Sequence, residues 1–355
     1  MSQFKINSIT DKSGRSGPVI AGVSTNNSTG CMIIPVGPSE HRGGRGRGVF
    51  GTGYNNAPNS SLNSLQYVTI ASTGNTQDFG DLADSSIGKA SFGSATRGFW
   101  AGGDSVPGQA DNSAIEFTII SSLGGGFDFG DMTSTKAYLT GMSNDVRGFM
   151  VGGATTPEYV NKNTIEFVTM ASTGDASDFG DLSTTTRNFC AAASNTRGII
   201  LMGQTNPLAG GNIIEFITLS TLGNSQNFGE VTTLEKSGAA AVASSTRACF
   251  MAGTGTTSNG SHVSNVIDFV TISTLGNAQD FGDTTVAVNA LASASNSTRG
   301  LHAGGRTGSP VSEALKNDIG FITIASTGNA TDFGDLVTPT RYLSGCSDAH
   351  GGLIQ

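Results

Sequence analysis

Residues Ile165 to Arg197 read IEFVTMASTGDASDFGDLSTTTRNFCAAASNTR, and this stretch returns with small changes along the chain. Its most constant part is an Asp-Phe-Gly-Asp tetrad, found at residues 78–81, 128–131, 178–181, 280–283 and 332–335, and as Asn-Phe-Gly-Glu at 227–230. Successive tetrads begin 50, 50, 49, 53 and 52 residues apart. A fixed period of that size means that one small unit cannot bury its own apolar faces and stacks on neighbours, in a ring, a solenoid or an array.

Each unit holds four short candidate strands. In the copy that follows Thr186 they are RNFCAAAS, TRGIILMG, IIEFITLS and STLGNSQNFGE, with turn residues at 195–196 and 206–211. Four antiparallel strands per repeat is the pattern of a β-propeller blade. The first strand is small in side chain, as at 191–194, 238–243 and 290–295, which suits the crowded axis of a ring. The third is apolar on both faces, as at Ile165, Phe167, Val168 and Met170, which suits a strand packed between two sheets. This order, with glycine pairs Gly102–Gly103, Gly152–Gly153 and Gly304–Gly305 closing the second strand, resembles the kelch repeat. Where kelch blades usually carry tryptophan in the fourth strand, this chain has Phe79, Phe129, Phe179, Phe228, Phe281 and Phe333.

The repeats do not start and end in phase with the chain. RGVFGTG (47–53) is a second strand with no small-residue strand before it, and TPTRYLSGCS (338–347) is a first strand without its own third and fourth. Joining them makes one composite blade, so the expected fold is an all-β, kelch-like propeller of six four-stranded blades closed by the C-terminal strand. Residues 350–355 remain as a surplus edge or tail. A seven-bladed ring that recruits residues 18–36 is the alternative count.

Composition agrees with strands and tight turns: 51 glycines and 13% charged residues in 355 leave little for helices or for a solvated disordered chain. A net charge of −8 argues against a phosphate backbone as partner. Cys31, Cys190, Cys249 and Cys346 lack metal-ligand or disulfide-framework spacing and read as small buried residues in a reducing compartment. MSQFKINS lacks the layout of a secretory signal, and no apolar run approaches the roughly 20 residues a bilayer requires, so no membrane insertion is expected.

Residues 1–46 are expected to form a separate N-terminal extension and residues 47–355 the propeller. The apolar runs 19–23 and 31–36, split by a Ser/Asn/Gly stretch, suggest a hairpin, and HRGGRGRG (41–48) a hinge. The N-terminal block, the RGRGVFG junction and the chain of STGNAQDFGDL-like repeats together resemble virion structural proteins of marine tailed bacteriophages, especially those infecting cyanobacteria. That resemblance spans essentially the whole chain. It implies a virion location after assembly in the host cytoplasm, with the N-terminal block attaching to other virion subunits and the propeller displayed, in several copies.

Comparing the six copies with one another locates candidate residues. The last tetrad acid stays charged, and an arginine follows 16 or 17 residues on, which suggests bridges of Asp81 with Arg97, Asp131 with Arg147, Asp181 with Arg197, Glu230 with Arg247 and Asp283 with Arg299. These would fix register rather than perform chemistry. Calcium binding by the paired carboxylates is the functional alternative, although two acids supply few of the 6 to 8 ligands the ion takes.

Length varies almost only between that arginine and the third strand, in one loop per unit. In an up-and-down blade all such loops emerge on one rim, and a constant scaffold with one variable rim is how binding faces are built; relaxed drift on an unused surface is the plain alternative. The candidate contacts are Tyr54, Asn55, Asn56, Asp104, Tyr159, Asn161, Asn206, Asn259, His262 and Arg306, a polar and aromatic mix suited to sugar hydroxyls or protein surfaces. His41, His262, His302 and His350 show no metal spacing, and His302 stands where other copies have Trp100 or Met150, as a packing residue would. No catalytic residue, metal ligand or cofactor is expected. The function expected is host-surface recognition by a virion protein, with an architectural role among head, neck or tail subunits as the alternative, and glycan hydrolysis behind both.

Overall fold

The computed structural model describes residues 46–353 except 57–59, 206–210, 234, 258–259 and 309–313, together with Ser24–Thr25 and Met32–Ile33, which pair antiparallel. The other residues of the N-terminal extension, Asn206 and Asn259 lie outside the described residues.

Six antiparallel sheets, each built on four strands and without helices among the described residues, stand around one axis as a six-bladed propeller. Blade 2 shows the plan: Ala90–Gly93 innermost, then Arg97–Ala101, Ala114–Ile119 and the outer strand Phe127–Asp131, which carries the tetrad. The inner strands of blades 3 to 6 are Thr140–Ser143, Cys190–Ala193, Ala240–Ala243 and Ala292–Ser295. Blade 1 is the composite: Ser344–Ser347 pairs with Arg47–Gly51, with Gly48 opposite Ser347. Each inner strand lies against the inner strands of the blades before and after it, so the circle is closed.

Apolar clusters fill the space between neighbouring blades. Between blades 3 and 4, Phe149, Val151, Ile165 and Phe179 meet Ala191, Ala193, Ile200 and Ile217, all buried. Each buried Phe, Ile or Val contributes about 1.5–3 kcal/mol.

The tetrad is explained by what surrounds it. Its phenylalanine is buried edge-on against an aromatic of the third strand, as Phe129 against Phe117 with ring centroids 6.0 Å apart. Its glycine lies against the third-to-fourth-strand loop of the next blade. A Cβ on Gly130, where φ is +148°, would stand 2.5 Å from the carbonyl oxygen of Gly174, so no side chain fits. That loop also donates Gly174 N–H to Phe129 O at 2.8 Å, and its Asp175 Oδ1 accepts the Asp131 amide at 3.0 Å. The same amide-to-side-chain bond recurs from Asp181 to Asn224, Glu230 to Asn277, Asp283 to Asn329 and Asp335 to Asn75. The last residue of the tetrad thus serves through its backbone.

The expected bridges between tetrad acids and arginines are absent among the described residues, for a topological reason. Asp131 pairs with Ala114 at one end of the third strand, whereas Arg97 pairs with Ile119 at the other, about 16 Å away along the strand. Asp81, Asp131 and Glu230 are exposed. Each arginine instead stacks over an aromatic of its own blade and donates to a backbone carbonyl of the next. Arg97 lies 4.6 Å from the Phe117 centroid and its Nη1 reaches Met170 O at 3.1 Å; Arg147, Arg197, Arg247 and Arg299 repeat this toward Leu219, Ile272, Ile324 and Ile70. Arg47 completes the set, over Tyr67 and onto Ile120 O. Six staples therefore run once around the ring.

Buried ion pairs do occur, one position inside the sheet. Lys136 meets Glu166 at 2.9 Å, Lys236 meets Asp268 at 2.7 Å and Lys89 meets Glu116 at 3.6 Å, all buried; burial lowers the pKa of Lys89 and Lys236 against the pull of their acids. In blade 6 the acid position is Gly320 and the ring of His302 occupies the vacated space, where burial pulls its pKa to about 4. Cys190, Cys249 and Cys346 are free and buried.

Candidate functional site

Consecutive antiparallel strands put second-to-third and fourth-to-first connections on the same side of the ring. The variable loops carry short hairpins there: Tyr54–Asn55 with Ser60–Ser61, Asp104–Ser105 with Ala110–Asp111, Ala154–Thr155 with Val160 and Asn161, Thr254–Thr257 with Gly260–Val263, and Arg306–Thr307 with Ala314–Leu315. Isolated bridges then tie each loop to the fourth-to-first connection, as Tyr54 to Arg341, Ile87 to Asp104, Ala137 to Ala154, Arg187 to Gln204, Ser237 to Thr254 and Asn289 to Arg306. Nearest the axis stand Gly88, Tyr138, Asn188, Gly238, Ala290 and Tyr342, joined by backbone bonds that run from one to the next: Gly88 N to Tyr342 O, Tyr342 N to Ala290 O, Ala290 N to Gly238 O, Gly238 N to Asn188 O and Asn188 N to Tyr138 O, at 2.6–3.1 Å. These five bonds string the six positions together at the mouth of the propeller on the variable face.

Behind the mouth lies a cavity of about 150 Å³ lined by the inner strands, including Ser91, Ser143, Ala192, Ala241 and Ser293. Its far end is crossed by the segment after the last strand. His350 Nε2 lies 2.8 Å from Gly93 O and 3.2 Å from Ser143 Oγ, while Gly351 donates to Ala243 O.

The side chains at the mouth break the sixfold pattern of the backbone. Tyr138 and Tyr342 meet edge-on above Gly88 at 5.5 Å, and Tyr138 meets Tyr159 at 5.8 Å. Arg341 stands over Tyr54 at 4.7 Å and over Tyr342 at 5.6 Å. Arg306 also stands 5.6 Å from the Tyr342 centroid, and it donates from Nη2 to the Tyr342 hydroxyl at 3.5 Å and from Nε to Asn289 Oδ1 at 3.0 Å. Arg187 lies over Tyr159 at 4.9 Å, and its Nη1 donates to Tyr159 O and to Asn161 Oδ1 at 3.1 and 2.9 Å. Rings and guanidiniums thus form one continuous belt across blades 1, 2, 3, 4 and 6, packed around Ile87, Ala137 and Val106.

On the blade 2 side the belt meets two acids opposite each other in a hairpin, Asp104 and Asp111. Asp111 accepts from Thr156 N and Oγ1 at 2.6 and 2.8 Å. Asp104 is 1% exposed, and burial, with Asp111 adding, raises its pKa to about 6. Burial also raises the pKa of the Tyr138 hydroxyl.

Of the residues expected on the rim, Tyr54, Asp104, Tyr159, Asn161 and Arg306 therefore come together at the mouth. Asn55 donates to Pro339 O, Asn56 is exposed beside it, and His262 is exposed in the blade 5 hairpin. Tyr138, Arg187, Arg341 and Tyr342 were not expected, because they lie on connections of constant length. A signal was present in the aligned copies: the column Gly88, Tyr138, Asn188, Gly238, Ala290, Tyr342 changes at every step, and so does the column before it, Ile87, Ala137, Arg187, Ser237, Asn289, Arg341. Among the described residues no cluster of three or more His, Cys, Asp and Glu is placed to hold a metal ion. No protein-family model matches this chain, and no curated protein matches it.

Proposed function

We propose that this chain is a non-enzymatic structural protein of a tailed-phage particle whose propeller meets a host surface glycan or protein through its variable face, while residues 1–46 join it to other virion subunits. The phage assignment rests on the sequence resemblance. The recognition role rests on one observation about the ring: positions that hold blades together repeat around it, whereas the innermost position at the mouth runs Gly, Tyr, Asn, Gly, Ala, Tyr from copy to copy. The staple arginines and the tetrad phenylalanines recur six times. At the mouth, tyrosine stands at the innermost position in two copies of six, Tyr138 and Tyr342, and arginine at the position before it in two, Arg187 and Arg341. A scaffold that keeps its frame and diversifies one site is suited to binding.

Binding of the purified protein to host cells or to their envelope polysaccharide, lost when the variable hairpins are exchanged, is the expected result. If exchange leaves cell binding unchanged and instead blocks incorporation into particles, the architectural reading replaces it. One observation favours that second reading. Leu123, Leu222 and Leu275 are 59, 62 and 60% exposed at equivalent points of the third-to-fourth-strand loops, on the face where the chain enters the propeller at Gly46. That face suits contacts with other virion subunits or further copies of this chain.

A further inference from the structure

The variable hairpin of blade 2 sets Asp104 directly opposite Asp111, whereas the hairpin of blade 3 sets Ala154 opposite Asn161. Directly opposed residues of an antiparallel pair share a face with Cβ atoms about 5 Å apart, and like charges there repel. The frame needs neither carboxylate. At the position of Asp111, Ser61 of blade 1 donates to Val106 O and Asn161 of blade 3 donates to Gln204 O, so neutral side chains reach the next blade's loop as Asp111 reaches Thr156. At the position of Asp104, Ala154 is equally buried.

Asp104 is also left unsatisfied. Its Oδ1 is buried and has no hydrogen-bond partner, and among the described residues neither acid forms an ion pair. The charge that acts on its carboxyl is that of Asp111, and the Thr156 hydroxyl faces both. Exposed Glu158, on the same hairpin as Thr156, adds a further negative charge. Buried carboxylates are ordinarily paired with a cation or coordinate a metal.

We infer that Asp104 and Asp111 hold a divalent cation between them, calcium being the ion their surroundings fit, and that this ion clamps the hairpins of blades 2 and 3 together. The donors gathered there are oxygens: the two carboxylates, the Thr156 hydroxyl, and the carbonyl of Gln109, which lies 3.4 Å from that hydroxyl. Such a set selects calcium, magnesium or manganese over zinc or copper. Each oxygen of Asp111 accepts one bond from Thr156, which leaves each a lone pair for the metal. Asp111 is partly exposed, so water can complete the 6 to 8 ligands that calcium takes in irregular geometry, whereas magnesium demands a near-ideal octahedron. The tetrad acids are a different set, on the outer strands.

The test is calorimetric titration and thermal melting of the purified full chain at neutral pH, first freed of metal with a chelator, then given calcium, magnesium or sodium chloride at matched ionic strength. The parent should bind a single calcium ion with a Kd of about 0.1–1 mM and melt higher in calcium than in chelator, with a smaller response to magnesium and none to sodium. Asp104→Asn and Asp111→Asn should each weaken calcium binding by about tenfold or more. Asparagine at 111 keeps the bond to the next hairpin, as Asn161 does in blade 3, so its loss of binding is separable from a loss of fold. In chelator Asp104→Asn should melt above the parent, and in calcium the order should reverse. A parent with no calcium-dependent rise overturns the inference, and so does a rise that survives undiminished in both variants, which would place the ion elsewhere on the ring.

Discussion

The Nη1 of Arg299 donates to the carbonyl oxygens of Ile70 and Ala71, at 3.2 and 2.9 Å, across 229 and 228 residues of sequence. This bond joins the last blade that is continuous in the chain to the composite one, so the staple that elsewhere links neighbours here helps close the ring. Arg299→Ala removes two backbone contacts and the stack on Phe321. Its expected cost is about 2–3 kcal/mol in urea unfolding. Arg299→Lys should recover less than half, because an ammonium cannot both stack and fork.

Lys136 and Glu166 are buried with their charges 2.9 Å apart, and Thr133 adds a hydroxyl to the carboxylate. Lys136→Ala strands the acid, with an expected loss of about 3–5 kcal/mol. The double variant Lys136→Met, Glu166→Leu should recover most of that loss. A single variant as stable as the parent in denaturant titration would show that the pair carries little.

Gly130→Ala drives a Cβ into the carbonyl of Gly174, whereas a Cβ on Gly174 itself meets nothing within 4 Å. Both positions have positive φ, so both variants bear a backbone cost of about 1 kcal/mol, and only the first adds a steric clash. Melting curves should therefore fall much further for Gly130→Ala than for Gly174→Ala.

Asp104 gives the molecule a pH dependence of known sign. Its folded pKa of about 6 lies above the ordinary 3.8, so the folded state holds the proton more tightly than the unfolded chain. Stability therefore falls as pH rises from about 4 to about 6, and the buried carboxylate is a standing cost above that window. Asp104→Asn should raise the melting temperature at neutral pH, leave it nearly unchanged at acidic pH, and flatten the slope between them. Melting curves across that range that coincide for the two proteins would contradict the placement of Asp104.

The frame of the propeller was legible because its causes are local and repeated. The small residues of the inner strands, the tetrads and the phase mismatch of the chain ends each imply one packing solution, and blade count and closure follow. The partners of the arginines were not legible. Arg97 and Asp81 are 16 residues apart in sequence but on opposite faces of the ring, and Arg97 bonds a carbonyl 73 residues away. Backbone acceptors leave no residue-type signature. The mouth was half legible: variable loop length pointed to Tyr54, Tyr159 and Arg306, while Tyr138, Arg187, Arg341 and Tyr342 sit on connections whose length is almost constant from copy to copy.

The most direct measurement compares two faces of one protein in binding to host cells. Tyr54→Ala with Tyr342→Ala alters the mouth, and Leu123→Ser with Leu275→Ser alters the opposite face, both pairs being chosen for folded products. The mouth pair should abolish retention on cells and the opposite pair should leave it intact. Retention that survives the mouth pair and is lost with the opposite pair would contradict the account.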